Sequence, residues 1–372
     1  MREPAAGAAG GLPPLARVPL LVLGFAGLAV GVGAGLARLG WTMPATAAGA
    51  AAWHGPLMIC GFFGVVIALE RAVAVGRRWA YAAPALAGAA TVAALAGGPG
   101  AAPWLYLGGS LVLLAATADI FRRQPALFTF TLTLGALSWT AGCALWLAGW
   151  NVHEVVPWWL AFLIVTIAGE RLELSRFLPP SPIARRVFAG ILAAVWVGLL
   201  GTRLPWGATV YAAGLLALAL WLLKQDIARR TVRGKGLTRF IAVCLLAGYV
   251  WLAIGAGIIL AAGGLFPGTA AYDAALHALA LGFVFSMVFG HAPVIFPAVL
   301  RVTMPYSPVF YAPLALLQLS LVVRMVGDAG GKFEWTRVGG MLNALALAAF
   351  VIGTATAVIR GRRAASPSHA PR

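Results

Sequence analysis

Four histidines in this 372-residue chain stand where they could do chemistry: His54, His153, His277 and His291. His54 heads the stretch WHGPLMICGFFGVVIALER (53–71), which holds no other charged residue before Glu70. His277 heads HALALGFVFSMVFGHAPVIFP (277–297), which also contains His291. Imidazole is a ligand for iron and copper and titrates near neutral pH. Polar groups in a membrane interior are expensive, and they are usually paired or functional. His54 and His277 fall six or seven residues in from the same expected boundary, on helices of the same direction. Two imidazoles at one depth could ligate a single iron from opposite sides, as in a six-coordinate haem.

A porphyrin lies perpendicular to the iron–nitrogen bond, so it runs along the face of each ligand helix. Neighbours one or two turns away must then be small. Around His54 these are Ala47, Ala50, Ala51 and Gly61, with Leu57 and Met58 as exceptions. Around His277 they are Ala270, Ala274 and Ala280, with Asp273, Leu281 and Val284 as exceptions. Small residues also serve ordinary helix packing in lipid. The plain alternative is therefore two unrelated histidines, each hydrogen-bonded across helices.

The elements that must position these residues follow from composition. Hydrophobic residues make up 62% and charged residues 10%, too little polar surface for a soluble globule of this length. Twelve apolar stretches have the roughly 20-residue length of a membrane-crossing helix. Their expected cores are 17–38, 48–70, 80–98, 102–120, 125–149, 156–176, 184–202, 205–223, 238–263, 270–296, 306–326 and 336–359. The expectation is one all-α integral membrane domain over 1–372, with disordered tails at 1–15 and 361–372; His369 falls in the second tail. The first stretch has no evident small-residue cleavage site and reads as a helix, not a signal peptide.

The net charge of +17 is unevenly placed. With both termini in the cytoplasm, all but five of the 27 Lys and Arg residues fall on inner loops and tails; the five are Arg38, Arg203, Arg324, Lys332 and Arg337. That is the positive-inside bias of a multi-pass inner-membrane protein and not a nucleic-acid footprint. The densest inner loop, KQDIARRTVRGKGLTR (224–239), has anionic lipid headgroups as its natural neighbours. Cys60, Cys143 and Cys244 lie in separate helices without metal-site spacing, so they read as small buried hydrophobes with no disulfide.

A weak repeat runs through the chain. The second stretch ends IALER (67–71) and the sixth ends IAGER (167–171). His54 precedes Glu70, His153 precedes Glu170, and His277 precedes His291 by similar intervals, each on the order of 20–25 Å of helix. Helices two, six and ten thus read as one element used three times, with four helices per unit. The Glu-Arg pairs are expected as internal ion pairs or snorkelling groups at the inner boundary, with His291 as a hydrogen-bonding neighbour of Glu70 or Glu170, or as a proton-handling group. Glu173 and Arg176 extend the second pair. His153, in the Trp-rich WNVHEVVPWW, reads as a solvated boundary residue, with a copper or haem-side contact as the sharper alternative. Arg324 and Arg337 are candidate partners for haem propionates, against the alternative of a solvated loop. No Ser-His-Asp set, Walker loop, HExxH or paired-carboxylate motif appears.

Residues 277–300 resemble the tenth helix of the haem-copper oxidase subunit I superfamily, above all cbb-type oxidases and NnrS-like proteins. HGPLMICGFFG (54–64) is similar to the second helix of the same group. The resemblance implies twelve helices in three pseudo-threefold arcs of four, and it aligns His54 and His277 with the axial ligands of a low-spin b-type haem. Oxidases carry the catalytic-haem histidine two residues before the position of His277, where this chain has Ala275. Their copper-binding histidines are missing from the seventh helix, and the sixth has only His153. The resemblance therefore implies an NnrS-like haem protein, in electron transfer or nitric oxide handling near the outer face with a redox partner there, and not an oxygen-reducing oxidase. A cofactor-free twelve-helix transporter and an assembly partner of a respiratory complex are the alternatives from other classes. The transporter predicts helices broken mid-membrane and a polar path, whereas the mid-membrane stretches here are almost wholly apolar.

Overall fold

The computed structural model describes residues 11–174 and 180–365. Every element among them is helical. Eleven helical segments are long and apolar enough to cross a membrane. In chain order with one shorter helix they are α1 (Pro14–Arg38), α2 (Ala51–Val75), α3 (Ala82–Leu95), α4 (Ala102–Arg123), α5 (Leu127–Leu147), α6 (Val152–Leu174), α7 (Pro182–Leu200), α8 (Gly207–Gln225), α9 (Gly236–Ala262), α10 (Ala270–Leu300), α11 (Pro308–Ala329) and α12 (Phe333–Ala365). An all-helical architecture is one of the two that a lipid core permits, since a helix, like a closed β-barrel, satisfies its own backbone donors and acceptors where no water can.

Some boundaries differ from expectation for local reasons, and α1 already begins at Pro14, inside the expected 1–15 tail. The third stretch was expected over 80–98, but α3 has only 14 residues, preceded by a 3-10 turn at Arg78–Tyr81. Its end is set by Gly97, Gly98, Pro99 and Gly100, with Gly97 at φ 84°. Glycine and proline stop a helix whatever their hydropathy. At the other end of the chain, α12 runs through Ala365, so 361–365 belongs to a helix and not to the expected tail. Residues 1–10 and 366–372, with His369, lie outside the described residues, as does Arg176.

The starts are capped where the sequence provides a side chain. Ser181 accepts from the Ala184 amide at 3.1 Å ahead of Pro182 in α7, and Thr269 accepts from the Tyr272 amide at 3.1 Å at the start of α10. Each cap satisfies a donor that the first turn cannot pair internally.

By its internal contacts the chain divides into two compact units, Met1–Glu173 and Leu174–Arg372. In the first unit α1 packs on α2 and α3, α3 on α4, and α4 on α5. Helix α5 meets α6 through Trp139, which stacks on Phe162 with centroids 5.0 Å apart. Gly135 and Gly142 bring α5 within reach of Thr166 and Trp159. Helix α6 is buried from Val155 to Gly169 on every side, as expected of a helix that is apolar all round. In the second unit α7 packs on α8, α8 on α9, α9 on α10, and α11 on α12.

Close helix approach depends on missing side chains. A Cβ at Gly198 of α7 would sit 2.3 Å from the backbone nitrogen of Tyr211 on α8, whereas one at Gly190 of the same helix would meet nothing within 4 Å. We expect Gly198→Ala to lower stability by on the order of 1–3 kcal/mol through overpacking, and Gly190→Ala to leave it unchanged. Thermal unfolding in detergent would separate the two; equal melting points would refute this packing.

Candidate functional site

In the first unit, His54 stands three residues into α2, one residue after a 3-10 turn at Ala51–Trp53. Its Nδ1 lies 2.7 Å from the carbonyl oxygen of Gly31 on α1. A carbonyl only accepts, so Nδ1 carries the proton and the basic lone pair of the ring resides on Nε2. The approach is possible because α1 presents glycine there. A Cβ at Gly35 would lie 2.7 Å from His54 Cε1, and one at Gly27 would meet the backbone of Gly61 at 3.3 Å. Gly24, Gly27, Gly31 and Gly35 follow the i, i+3, i+4 rhythm of one helix face. That spacing was readable in the sequence, and it marks the face of α1 that receives α2. Trp53, beside His54, meets Trp146 of α5 at 5.5 Å, and Trp146 meets Trp159 of α6 at 5.4 Å. These rings anchor the start of α2 within its unit.

In the second unit, His277 stands seven residues into α10. The equal register expected for the two histidines is thus off by about one turn. Ala48 and Gly49 of the expected second stretch belong to a separate short helix, Ala45–Gly49, broken from α2 at Ala50. His277 Nδ1 lies 2.8 Å from the Asp273 carbonyl oxygen and 3.3 Å from the Asp273 carboxylate, so it too carries the proton on Nδ1. Asp273, a bulky neighbour of His277 one turn back, is held by Arg324 of α11. The guanidinium donates from Nε to Oδ2 at 2.8 Å and from NH2 to Oδ1 at 2.9 Å. Arg324 is 5% exposed. Asp328 lies beside Asp273, and its Oδ1 accepts from the Thr336 hydroxyl at 2.8 Å.

One feature of both sites has no sequence motif: a π-helical stretch follows each histidine, Leu57–Phe63 after His54, Gly55 and Pro56, and Ala278–Phe285 directly after His277. Pro56 has no N–H, so the ladder is already interrupted there. The Gly64 amide then reaches back five residues to the Ile59 carbonyl. Such widened turns are uncommon and recur at functional sites. Gly61 and Gly282 within them admit neighbours closely, with a Cβ at Gly282 falling 2.4 Å from the Trp251 ring.

The remaining expected residues separate clearly. Arg324, expected as a propionate partner, has two of its nitrogens on Asp273. Arg337 lies 3.4 Å from Glu334 one turn earlier on α12. His153 is exposed at the start of α6. Among the described residues no three His, Cys, Asp or Glu side chains gather as a metal set. His291 donates its Nδ1 proton to the Met287 carbonyl at 2.7 Å, one turn back on α10. Cys60, Cys143 and Cys244 are free and buried, and Cys60 Sγ accepts from the Trp139 indole at 3.2 Å.

The two Glu-Arg motifs meet within the first unit. Arg71 of α2 bridges Glu170 of α6 at 2.9 Å and Glu70 at 3.2 Å. The Arg71 side chain is 9% exposed and that of Glu170 16%. Removing one member of such a buried pair leaves an uncompensated charge. We expect Arg71→Met to destabilise the protein by ~3–5 kcal/mol. Glu334→Gln, in a pair whose glutamate is 73% exposed, should cost less than about 1 kcal/mol. Paired thermal melts in detergent check the ranking, which fails if the two variants unfold together.

No match is found among curated proteins or among solved structures. A family model described as a domain of unknown function (DUF8744) matches residues 17–359. With nearly all of its helical core inside that match, the chain belongs to the DUF8744 family.

Proposed function

We propose that this multi-pass protein is a b-type haem protein of a bacterial-type inner membrane, NnrS-like in role, with His54 and His277 as the axial ligands. Its function is electron transfer or nitric oxide handling. What carries the reading is the matched state of the two imidazoles: each Nδ1 proton is held by a backbone carbonyl, which places the ligating lone pair on Nε2. A ligating histidine commonly has its other ring nitrogen held in this way, which fixes both tautomer and ring orientation. The π-helical stretch that follows each ring is the second support.

When bound, haem supplies a one-electron carrier between ferric and ferrous iron. The chain's part is orientation and exclusion of water. The Gly31–Gly35 face seats the His54 ring, and the apolar residues of the π-helical stretches, all buried but Ala280, keep solvent out. The charge bias of the loops supports an orientation with both termini in the cytoplasm; on that reading the His54 end of α2 and the His277 end of α10 would each lie toward the outer face.

Purified protein in detergent should give sharp α and β bands in a reduced-minus-oxidised spectrum. His54→Ala and His277→Ala should each abolish them, while His153→Ala keeps them. A folded but colourless wild-type protein would refute the reading and return the chain to the cofactor-free transporters. Reporter fusions at the C-terminus should report a cytoplasmic location, and a periplasmic signal there would reverse the orientation.

A further inference from the structure

The two imidazoles are held alike in tautomer but unlike in charge. His54 donates to a neutral carbonyl, that of Gly31. His277 donates to the Asp273 carbonyl with the Asp273 carboxylate 3.3 Å from the same nitrogen. That carboxylate is gripped in turn by the Arg324 fork, whose closest approach is 2.7 Å. A carboxylate behind a ligating imidazole makes the ring a stronger electron donor. A guanidinium behind the carboxylate offsets part of that effect. The charges sit on neighbouring helices, α10 and α11; Arg324 is buried, while the Asp273 side chain is 34% exposed, so solvent screens the carboxylate in part.

We infer that Asp273 and Arg324 form a positioning and tuning pair for His277, setting the donor strength of that ligand and thereby the reduction potential of the iron it holds. Neither residue would ligate the iron; both would act through the imidazole. The inference rests on the haem reading above and goes beyond it by making the two axial ligands electronically unequal. Their opposite charges predict opposite effects. Ferric iron bears one more positive charge than ferrous iron. The Asp273 carboxylate stabilises the ferric state, and Arg324 opposes it.

The test is a potentiometric titration of the full-length protein in detergent, followed at the α band. Asp273→Asn should raise the midpoint potential and Arg324→Gln should lower it, both with six-coordinate spectra retained. Arg324→Lys, which keeps the charge, should return the value toward wild type. Glu334→Gln, in the exposed pair on α12, should leave it in place. A role confined to structure would move Asp273→Asn and Arg324→Gln the same way or strip the haem from both, and either result overturns the inference. Unchanged potentials with intact bands overturn it too, while leaving the ligand assignment standing. Absence of haem from the wild-type protein removes the underlying reading and the inference together.

Discussion

In a lipid interior no water is at hand to hydrogen-bond a stray polar group, and that constraint organises this molecule. Backbone groups are satisfied by helix formation along almost the whole described chain. The ionisable side chains within the spans are then forced into partnership. Arg71 sits between two glutamates and Arg324 against Asp273, each arginine nearly buried. Smaller polar groups obey the same rule. Trp251 donates to Gln318, which donates to Ser286; Ser320 bonds Asn343; the Tyr249 hydroxyl donates to Asp226 at 2.6 Å. An unpaired member of any of these sets would carry a desolvation cost of about 1–3 kcal/mol or more.

The same constraint shapes the histidines. A neutral imidazole has one donor and one acceptor, and the protein binds the donor to a main-chain carbonyl in three separate places, at His54, His277 and His291. For His277 and His291 the carbonyl is one turn back on the same helix, a local arrangement that any i−4 neighbour provides. For His54 it belongs to another helix, and the contact exists only because Gly31 and Gly35 leave room. Its geometry is thus a property of helix packing, whereas that of His277 is partly a property of α10 alone. Asp273 adds the charged element, and α11 brings the cation that balances it.

Much of this was legible beforehand. Hydropathy located the helices to within a few residues because burial in lipid is read directly from apolar run length. The short α3 was the exception, since the Gly97–Gly98–Pro99–Gly100 run ends the helix ladder whatever the hydropathy around it. The repeat of IALER and IAGER pointed to buried ion pairs, and the structure joins them as Glu70–Arg71–Glu170. Asp273 was visible at four residues before His277, the one-turn spacing that brings two side chains together. Treated as a steric exception, its charge went unused. The π-helical stretches were not legible, because a single extra residue per turn leaves no compositional mark.

By itself, then, the amino-acid order determined an all-helical membrane chain, the identity of its intramembrane histidines and the charge asymmetry of its loops. These depend on residue type and on separation along one helix. Only the tertiary structure decided that Arg324 belongs to Asp273, that Arg71 bridges Glu70 and Glu170, and that the His54 ring lies against the glycine face of α1. Each of those joins residues whose distance in sequence says nothing of their distance in space. The physical reason is that helix pairing is chosen by shape, by where a missing Cβ permits contact, and shape appears only when helices are set side by side.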